Sequence, residues 1–385
     1  MSGFDPRYPS VRDLARRAQK RIPQFAHDYL VGGVAEERCI ARNRDDLEKV
    51  KLRPRYLREM DEIDTSVTLF GARYDLPVGI SPVGFGNLMW PGGEAMLAAA
   101  AARANIPYVL STFATTALEE IADYAEGVAW FQLYVPKDEI VTADLIGRAA
   151  AAGYKALVVT VDVPVGGKRE RDLKNGLNLP FKLTPRLIWQ AATRPAWALG
   201  TALKGPPVFH NVMRYAGVAG FASGEMAHFV SNFLATGVSW ERMRQIRDLW
   251  KGPLIIKGLL DAEDIQQAIM AGIDGVILSN HGGRQFEASP SPVEVLPEAV
   301  RAADGRLTVM MDSGVRTGLD LLRIKALGGA AGFSARSFML GLGALGKRGG
   351  EQVIEIFRDD VRRGLMQMGC DRFEALGGDW LHHGA

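Results

Sequence analysis

His281 and Arg284 stand three residues apart in Ser279-Asn280-His281-Gly282-Gly283-Arg284-Gln285, directly after the apolar run Gly275 to Leu278. That pairing sets a proton acceptor that works near neutral pH beside a guanidinium fork able to grip a carboxylate through two parallel bonds. The glycines between them let the backbone come close to a ligand. A histidine beside glycine is more often a turn residue than a catalyst, so the weight falls on what other positions carry. Arg169, in Gly166-Gly167-Lys168-Arg169-Glu170-Arg171, can hold the same carboxylate from a second side, while Arg171 reads equally well as a structural partner of Asp172 or Glu170. Asp162, two residues past Thr160, is placed to accept a hydrogen bond from His281 and stabilise its protonated form, or else to cap the loop before Pro164. Arg316 and Arg336 each follow a late apolar run, as in a phosphate cradle of backbone N–H groups and guanidinium forks. Such a cradle serves flavin, pyridoxal and sugar-phosphate enzymes alike. Lys257 could form a pyridoxal Schiff base, but a base with two arginines for a carboxylate fits redox chemistry better.

These groups need a scaffold that points them at one place. From residue 76 onward, short apolar runs alternate with polar or glycine-containing turns and helical stretches rich in alanine or leucine. The runs are Leu76 to Ile80, Pro107 to Leu110, Val128 to Leu133, Ala156 to Val161, Leu254 to Ile256, Gly275 to Leu278, Leu307 to Met311 and Ala331 to Phe333. They predict a (β/α)8 TIM barrel, with an open doubly wound sheet as the alternative, and a barrel gathers its active site at the C-terminal ends of its strands. In turn those ends carry Ser81-Pro82-Val83-Gly84, Ser111, Gln132 with Tyr134, Thr160 with Asp162, Lys257, Ser279 to Arg284, Asp312 to Arg316, and Ala335-Arg336. Residues 1–75 read as a helical N-terminal extension, capped near Ser10 and with a helix closing on Gly32-Gly33; residues 76–385 read as the barrel domain. Between the fourth and fifth runs lie about 90 residues, far more than a βα loop needs, so 170–240 reads as an inserted lid or docking segment. Within it, 185–205 combines Trp189, Trp197 and aliphatic residues with Arg186, Arg194 and Lys204, a pattern that suits either a membrane interface or a helix packed on the barrel or a neighbouring subunit.

Composition narrows the function. Lys and Arg total 46 against 44 Asp and Glu, a net charge of +2, without the excess expected of a nucleic-acid binder. The two cysteines, Cys39 and Cys370, belong to no C-x-x-C pair, and His382-His383 reads as a surface tail, so no disulfide framework or metal site is expected. No signal-peptide core or spanning apolar run is present, which makes a reducing cytoplasm the expected compartment.

Taken together, Ser279 to Gln285, Phe131-Gln132-Leu133-Tyr134, Thr160-Val161-Asp162, Ile256-Lys257-Gly258 and Asp312-Ser313-Gly314-Val315-Arg316 resemble the FMN-dependent L-2-hydroxy-acid dehydrogenase and oxidase family. The match runs in order from Asp28-Tyr29-Leu30 to Ala335-Arg336. The resemblance implies FMN as cofactor. Pro82, Val83, Gly84, Ser111, Gln132, Thr160, Lys257, Ser279, Asp312, Gly314, Arg316, Ala335 and Arg336 would bind it, with Lys257 beside the ring. It also implies that Tyr29, Arg169, Arg284 and Tyr134 bind substrate, and that His281, backed by Asp162, takes a proton. The stretches Pro82 to Pro91 and Arg169 to Leu173 are most similar to the mandelate- and lactate-oxidising dehydrogenases, which pass electrons to the membrane. The expected activity is therefore oxidation of a lactate- or mandelate-like acid with a quinone or other carrier as acceptor, by a homotetramer held peripherally on the inner membrane. An oxidase that makes hydrogen peroxide, an enzyme of the same fold acting on a peptide or larger natural product, and a barrel that has lost its cofactor are the alternatives. Ala335 stands where the family usually has glycine, a cost only if its φ is positive.

Overall fold

The computed structural model describes residues 4–60, 62–177, 184–205, 207–216 and 233–382. All eight apolar runs become strands of one closed parallel barrel: β3 (Val78–Ile80), β4 (Tyr108–Ser111), β5 (Ala129–Leu133), β6 (Ala156–Thr160), β7 (Leu254–Lys257), β8 (Gly275–Leu278), β9 (Thr308–Met311) and β10 (Gly332–Ser334). The barrel closes by pairing β10 with β3, Gly332 opposite Val78. The strands read as unbroken apolar runs because both of their faces are buried, inward against each other and outward against helices. Trp130 and Phe333 fill the interior with ring centroids 5.5 Å apart. Truncating an aromatic of that size in a closed core costs about 3–5 kcal/mol.

The extension contributes α1 (Val11–Arg21), α2 (Gln24–Val31) and α3 (Arg38–Lys49). Ser10 caps α1 as expected, accepting from the Asp13 N–H at 3.3 Å. α2 does end at Gly32, but with φ −69 rather than in the left-handed turn a closing glycine usually provides. The glycines here serve close approach: a Cβ on Gly33 would lie 2.5 Å from the Gly283 carbonyl oxygen, in the loop that carries His281. The extension is also not wholly helical. β1 (Val67–Leu69) and β2 (Ala72–Tyr74) form an antiparallel hairpin whose Phe70 packs edge-on to Trp130 at 5.8 Å. The alternation in Val67-Thr68-Leu69 and the Phe70-Gly71 turn carried that signal in the sequence. At the other end of the chain, the His382 N–H donates to the Lys51 carbonyl, while His383 lies outside the described residues.

After β3 come α4 (Gly86–Met89) and α5 (Gly93–Arg103), then α6 (Leu118–Tyr124) after β4 and α7 (Glu139–Ala151) after β5. The described part of the insertion holds α8 (Glu170–Asn175), α9 (Pro185–Ala192), α10 (Pro195–Lys204) and α11 (His210–Met213). Parts of 170–240 lie outside the described residues.

Candidate active site

The C-terminal ends of the strands surround one cavity of about 420 Å³, within the size range of small-molecule sites. His281 borders it in an unusual backbone state: His281, Gly282 and Gly283 are all left-handed, with φ 56, 65 and 73. A non-glycine residue pays on the order of 1–2 kcal/mol for that conformation, so the surroundings must enforce it. Three contacts do so. The Ser279 hydroxyl accepts from the His281 N–H at 3.0 Å, the Ser313 hydroxyl accepts from Gly282 N–H at 3.0 Å, and Asn280 exchanges side-chain bonds of 2.9 and 2.6 Å with Asn43 of α3. With its backbone so fixed, the imidazole Nδ1 sits 2.8 Å from Asp162 Oδ1 and Nε2 lies 3.3 Å from the Tyr134 hydroxyl. Burial works against the Asp162 carboxylate, yet His281 and Lys257 nearby hold it below the usual carboxylate range. An ionised Asp162 fixes the proton on Nδ1 and leaves Nε2 as the acceptor. Burial, with Asp162 adding to it, pushes the Tyr134 phenol well up, so Tyr134 stays a hydrogen-bond donor.

Arg284 and Arg169 both border the cavity and both lie over the Tyr29 ring, at 4.9 and 5.3 Å from its centroid. Arg284 is tied down by the carbonyls of Tyr29 (2.6 Å) and Gly32 (2.9 Å), and Arg169 by Asp172 at 3.1 Å. Burial and the second guanidinium together pull Arg284 below its ordinary pKa, while burial pushes the Asp172 carboxyl up. Two guanidinium groups held side by side in a desolvated wall favour an anion between them. Arg171, whose role was open, makes ion pairs with Glu37 and Asp28 at 2.5 and 3.6 Å and does not border the cavity.

Lys257 ends β7 fully buried. Burial opposes its charge, but Asp312 (3.0 Å) and Asp162 raise its pKa above the ordinary value, and its ammonium also donates to Ser279 at 2.7 Å. Close by, Thr160 Oγ1 and Gln132 Nε2 are buried without a hydrogen-bond partner. Orphaned polar atoms in a core are costly and imply a bound group that satisfies them. Pro82, Val83, Gly84, Thr160, Asp312, Gly314 and Ala335 line the cavity, whereas Ser111, Gln132 and Ser279 do not. At the far end of the cavity Arg316 makes no side-chain hydrogen bond or ion pair among the described residues. Burial and neighbouring Arg44 lower its pKa. Arg336 borders the cavity and donates to the carbonyls of Leu30 (3.1 Å), Gly282 (2.8 Å) and Gly32 (3.0 Å). Burial, then Arg284 and Arg316, pull it down to about 9. Cations this destabilised by burial and by one another call for a multivalent anion. Ala335 has φ −98, so it carries no left-handed strain and the missing glycine costs nothing.

A third wall is aromatic. Phe85, after β3, packs against Phe209 at 5.1 Å, and Phe113, after β4, packs against Phe209 at 5.4 Å and Tyr134 at 5.7 Å. Phe209 and Leu234 reach this wall from the insertion. From sequence, Phe85 and Ser313 appear only inside longer motifs without a role of their own, and Phe113, Phe209 and Asn43 do not stand out at all. The phenylalanines read as core residues, and Asn43 is an isolated polar residue in a helix whose partner lies in a loop far along the chain.

A sequence profile of the family described as FMN-dependent dehydrogenase matches residues 18–383. The chain is 39% identical over 368 residues to an L-lactate dehydrogenase of Pseudomonas syringae pv. syringae (strain B728a), covering 95% of this chain and 96% of that protein. It is 37% identical over 375 residues to an (S)-mandelate dehydrogenase of Pseudomonas putida, covering 97% of this chain and 94% of that one. Among solved structures, a monotopic membrane protein (S)-mandelate dehydrogenase superposes with a TM-score of 0.92 at 36% identity, over 98% of this chain and 100% of that one.

Proposed function

The chain belongs to the FMN-dependent dehydrogenase family and oxidises L-2-hydroxy acids, and from that premise we propose that its own substrate carries an aryl-sized side chain and that its electrons pass to a quinone in a membrane on which the protein docks. The donor set fits FMN: unpartnered Thr160 Oγ1 and Gln132 Nε2 and the buried Lys257 suit the polar edge of a flavin ring, and Arg316 with Arg336 suits its phosphate. When bound, FMN takes up the two electrons that the substrate's α-carbon gives up.

The placement of the chain's own groups supports the following roles. Arg169 and Arg284 hold the substrate carboxylate, with Tyr29 as the plate that sets their spacing. Tyr134 donates to the substrate hydroxyl. His281 Nε2 takes a proton from the substrate, and the Asp162 carboxylate at 2.8 Å stabilises the imidazolium that results. Lys257 supplies fixed positive charge where negative charge accumulates.

The single observation that carries the substrate reading is the Phe85, Phe113, Phe209 wall on the cavity. A phenyl group buried there removes on the order of 100 Å² more apolar surface from water than a methyl group. At roughly 25 cal/mol per Å² that favours the aryl acid by about 2–3 kcal/mol. Mixed anaerobically with the flavin-loaded protein, L-mandelate is therefore expected to bleach the flavin band with a kcat/KM on the order of 30-fold above that of L-lactate. Equal or reversed preference would sink the aryl reading while leaving the family assignment intact.

The membrane reading rests on α9 and α10. Leu187 and Trp197 anchor the pair, Trp197 donating to the Leu88 carbonyl at 2.9 Å and packing on Phe25 at 5.7 Å. Trp189, Leu199 and Leu203 face outward, Trp189 and Leu203 at 72% and 78% exposure, beside Arg186, Arg194 and Lys204. An apolar face edged with cations is the surface expected to lie on anionic lipid. No described helix is long and apolar enough to cross a membrane, which fits a helix pair lying in the interface. In anionic vesicles that contain a quinone, Trp189→Ser with Leu203→Ser is expected to cut quinone reduction at least ~10-fold while dye-linked turnover in solution stays unchanged. Faster reoxidation by air than by vesicle quinone would favour an oxidase instead.

A further inference from the structure

The first turn of α5 holds a carboxylate that the reaction does not use. Glu94 is 1% exposed and enters no ion pair among the described residues. Its two oxygens accept from the Gly86 N–H at 3.0 Å, from the Thr115 N–H at 3.0 Å to each oxygen and from the Thr115 hydroxyl at 2.9 Å, and the Thr116 hydroxyl also bonds the carboxyl group. Asn87 doubles the link, accepting from the Glu94 N–H at 3.2 Å while its own N–H and side-chain amide donate to the hydroxyls of Thr115 and Thr116, each at 3.2 Å. Phe85 directly precedes Gly86 and Phe113 lies two residues before Thr115, and the two also bond directly, Phe85 N–H to the Phe113 carbonyl at 2.9 Å.

Phe85 needs this bracing. Its φ is +63, a left-handed conformation that a bulky side chain does not hold unless its neighbours impose it. The residue that follows it, Gly86, is the one whose N–H the carboxylate grips, and a Cβ there would sit 2.6 Å from Glu94 Oε1. We propose that Glu94 is a positioning residue for substrate selection: by clamping the Gly86 and Thr115 backbones it locks Phe85 and Phe113 together as the wall against which the substrate side chain packs. Burial holds the Glu94 carboxyl pKa above its ordinary value, and the donors of Thr115, Thr116 and Gly86 offset only part of that rise, with no cation to do more. The inference rests on the aryl reading of that wall.

Glu94→Gln keeps the shape but presents amide N–H groups to a cradle made of donors. Half of the clamp is lost, Phe85 is free to relax to negative φ, and the wall opens. The measurement is the ratio of kcat/KM for L-mandelate to that for L-lactate, in holoenzyme of matched flavin content. The expected result is a fall of at least ~10-fold in that ratio, carried mostly by KM for mandelate, with kcat for lactate nearly unchanged. A purely structural role would lower thermal stability and move both substrates together, so an unchanged ratio in a flavin-loaded variant overturns the proposal. Should Glu94→Gln fail to retain flavin, Thr115→Val removes the hydroxyl's two bonds, the one given to Glu94 and the one taken from the Asn87 N–H, and keeps the backbone grip on the carboxylate; a smaller fall in the ratio supports the role and an unchanged ratio overturns it. A wild type that prefers lactate overturns the aryl reading instead, since the test of Glu94 is the change in ratio between wild type and variant.

Discussion

His281→Asn is expected to lower kcat by ~10²–10⁴-fold with flavin still bound, the range a positioned general base contributes. Asparagine is the informative replacement because His281 sits at φ 56, a conformation asparagine tolerates better than most residues. It keeps the loop bond from the backbone N–H to Ser279 and removes the imidazole, and with it the proton acceptor. Alanine would add backbone strain to the loss of the base and blur the two. The change also strips Asp162 of its Nδ1 partner, leaving a buried carboxylate whose second oxygen already lacks a hydrogen bond. Some loss of stability accompanies the loss of rate. Single-turnover bleaching of bound flavin by substrate separates these effects, since it counts only loaded protein. A bleaching rate within tenfold of wild type would remove His281 from the reaction.

Lys257→Met is expected to destabilise the apoprotein by about 3–5 kcal/mol, because it leaves the Asp312 carboxylate buried beside an apolar side chain. Combined with Asp312→Asn, most of that loss should return, since the pair is then replaced by neutral groups. Chemical denaturation of the flavin-free variants reads this difference. The rate of flavin reduction behaves otherwise: it should stay low in the double variant, where stability is restored but the fixed cation at the end of β7 is missing. If stability and rate recover together, Lys257 acts only through the fold. If the single variant is as stable as wild type, the burial argument for the pair is wrong.

The barrel was legible from local pattern because each strand is an apolar run buried on both faces and bounded by turn residues, and such runs declare themselves within five or six positions. The base, clamp and buried lysine were legible for the same reason, as polar groups at the ends of those runs. What escaped depends on partners far along the chain. Arg336 reads from its position as a phosphate ligand, yet it also stitches Leu30 and Gly32 of the extension to Gly282, contacts no local pattern encodes. Glu94 sits in an alanine-rich helix, Gly93–Arg103, where a glutamate reads as a solvated first-turn residue; only the fold turns it inward to Thr115. The hairpin at 67–74 leaves only a faint trace, one alternating triplet and a Phe70-Gly71 turn, because its strands are three residues long. At Ala335 the sequence left the question open, and the answer lay in a φ of −98 that the turn from β10 into its helix dictates.

The cavity's two jobs are divided between separate segments of chain. The groups proposed to take the proton and to hold the carboxylate come from the ends of β6 and β8 and from α2, whereas the aromatic wall comes from the loops after β3 and β4 and from the insertion. Descendants of such a scaffold can change diet without relearning chemistry: drift in Phe85, Phe113 or Phe209 alters which side chain is admitted, and selection need never touch the groups that move the proton. Lactate- and mandelate-oxidising relatives at nearly equal distance, 39% and 37% identity, are what that partition of mutational risk would leave behind.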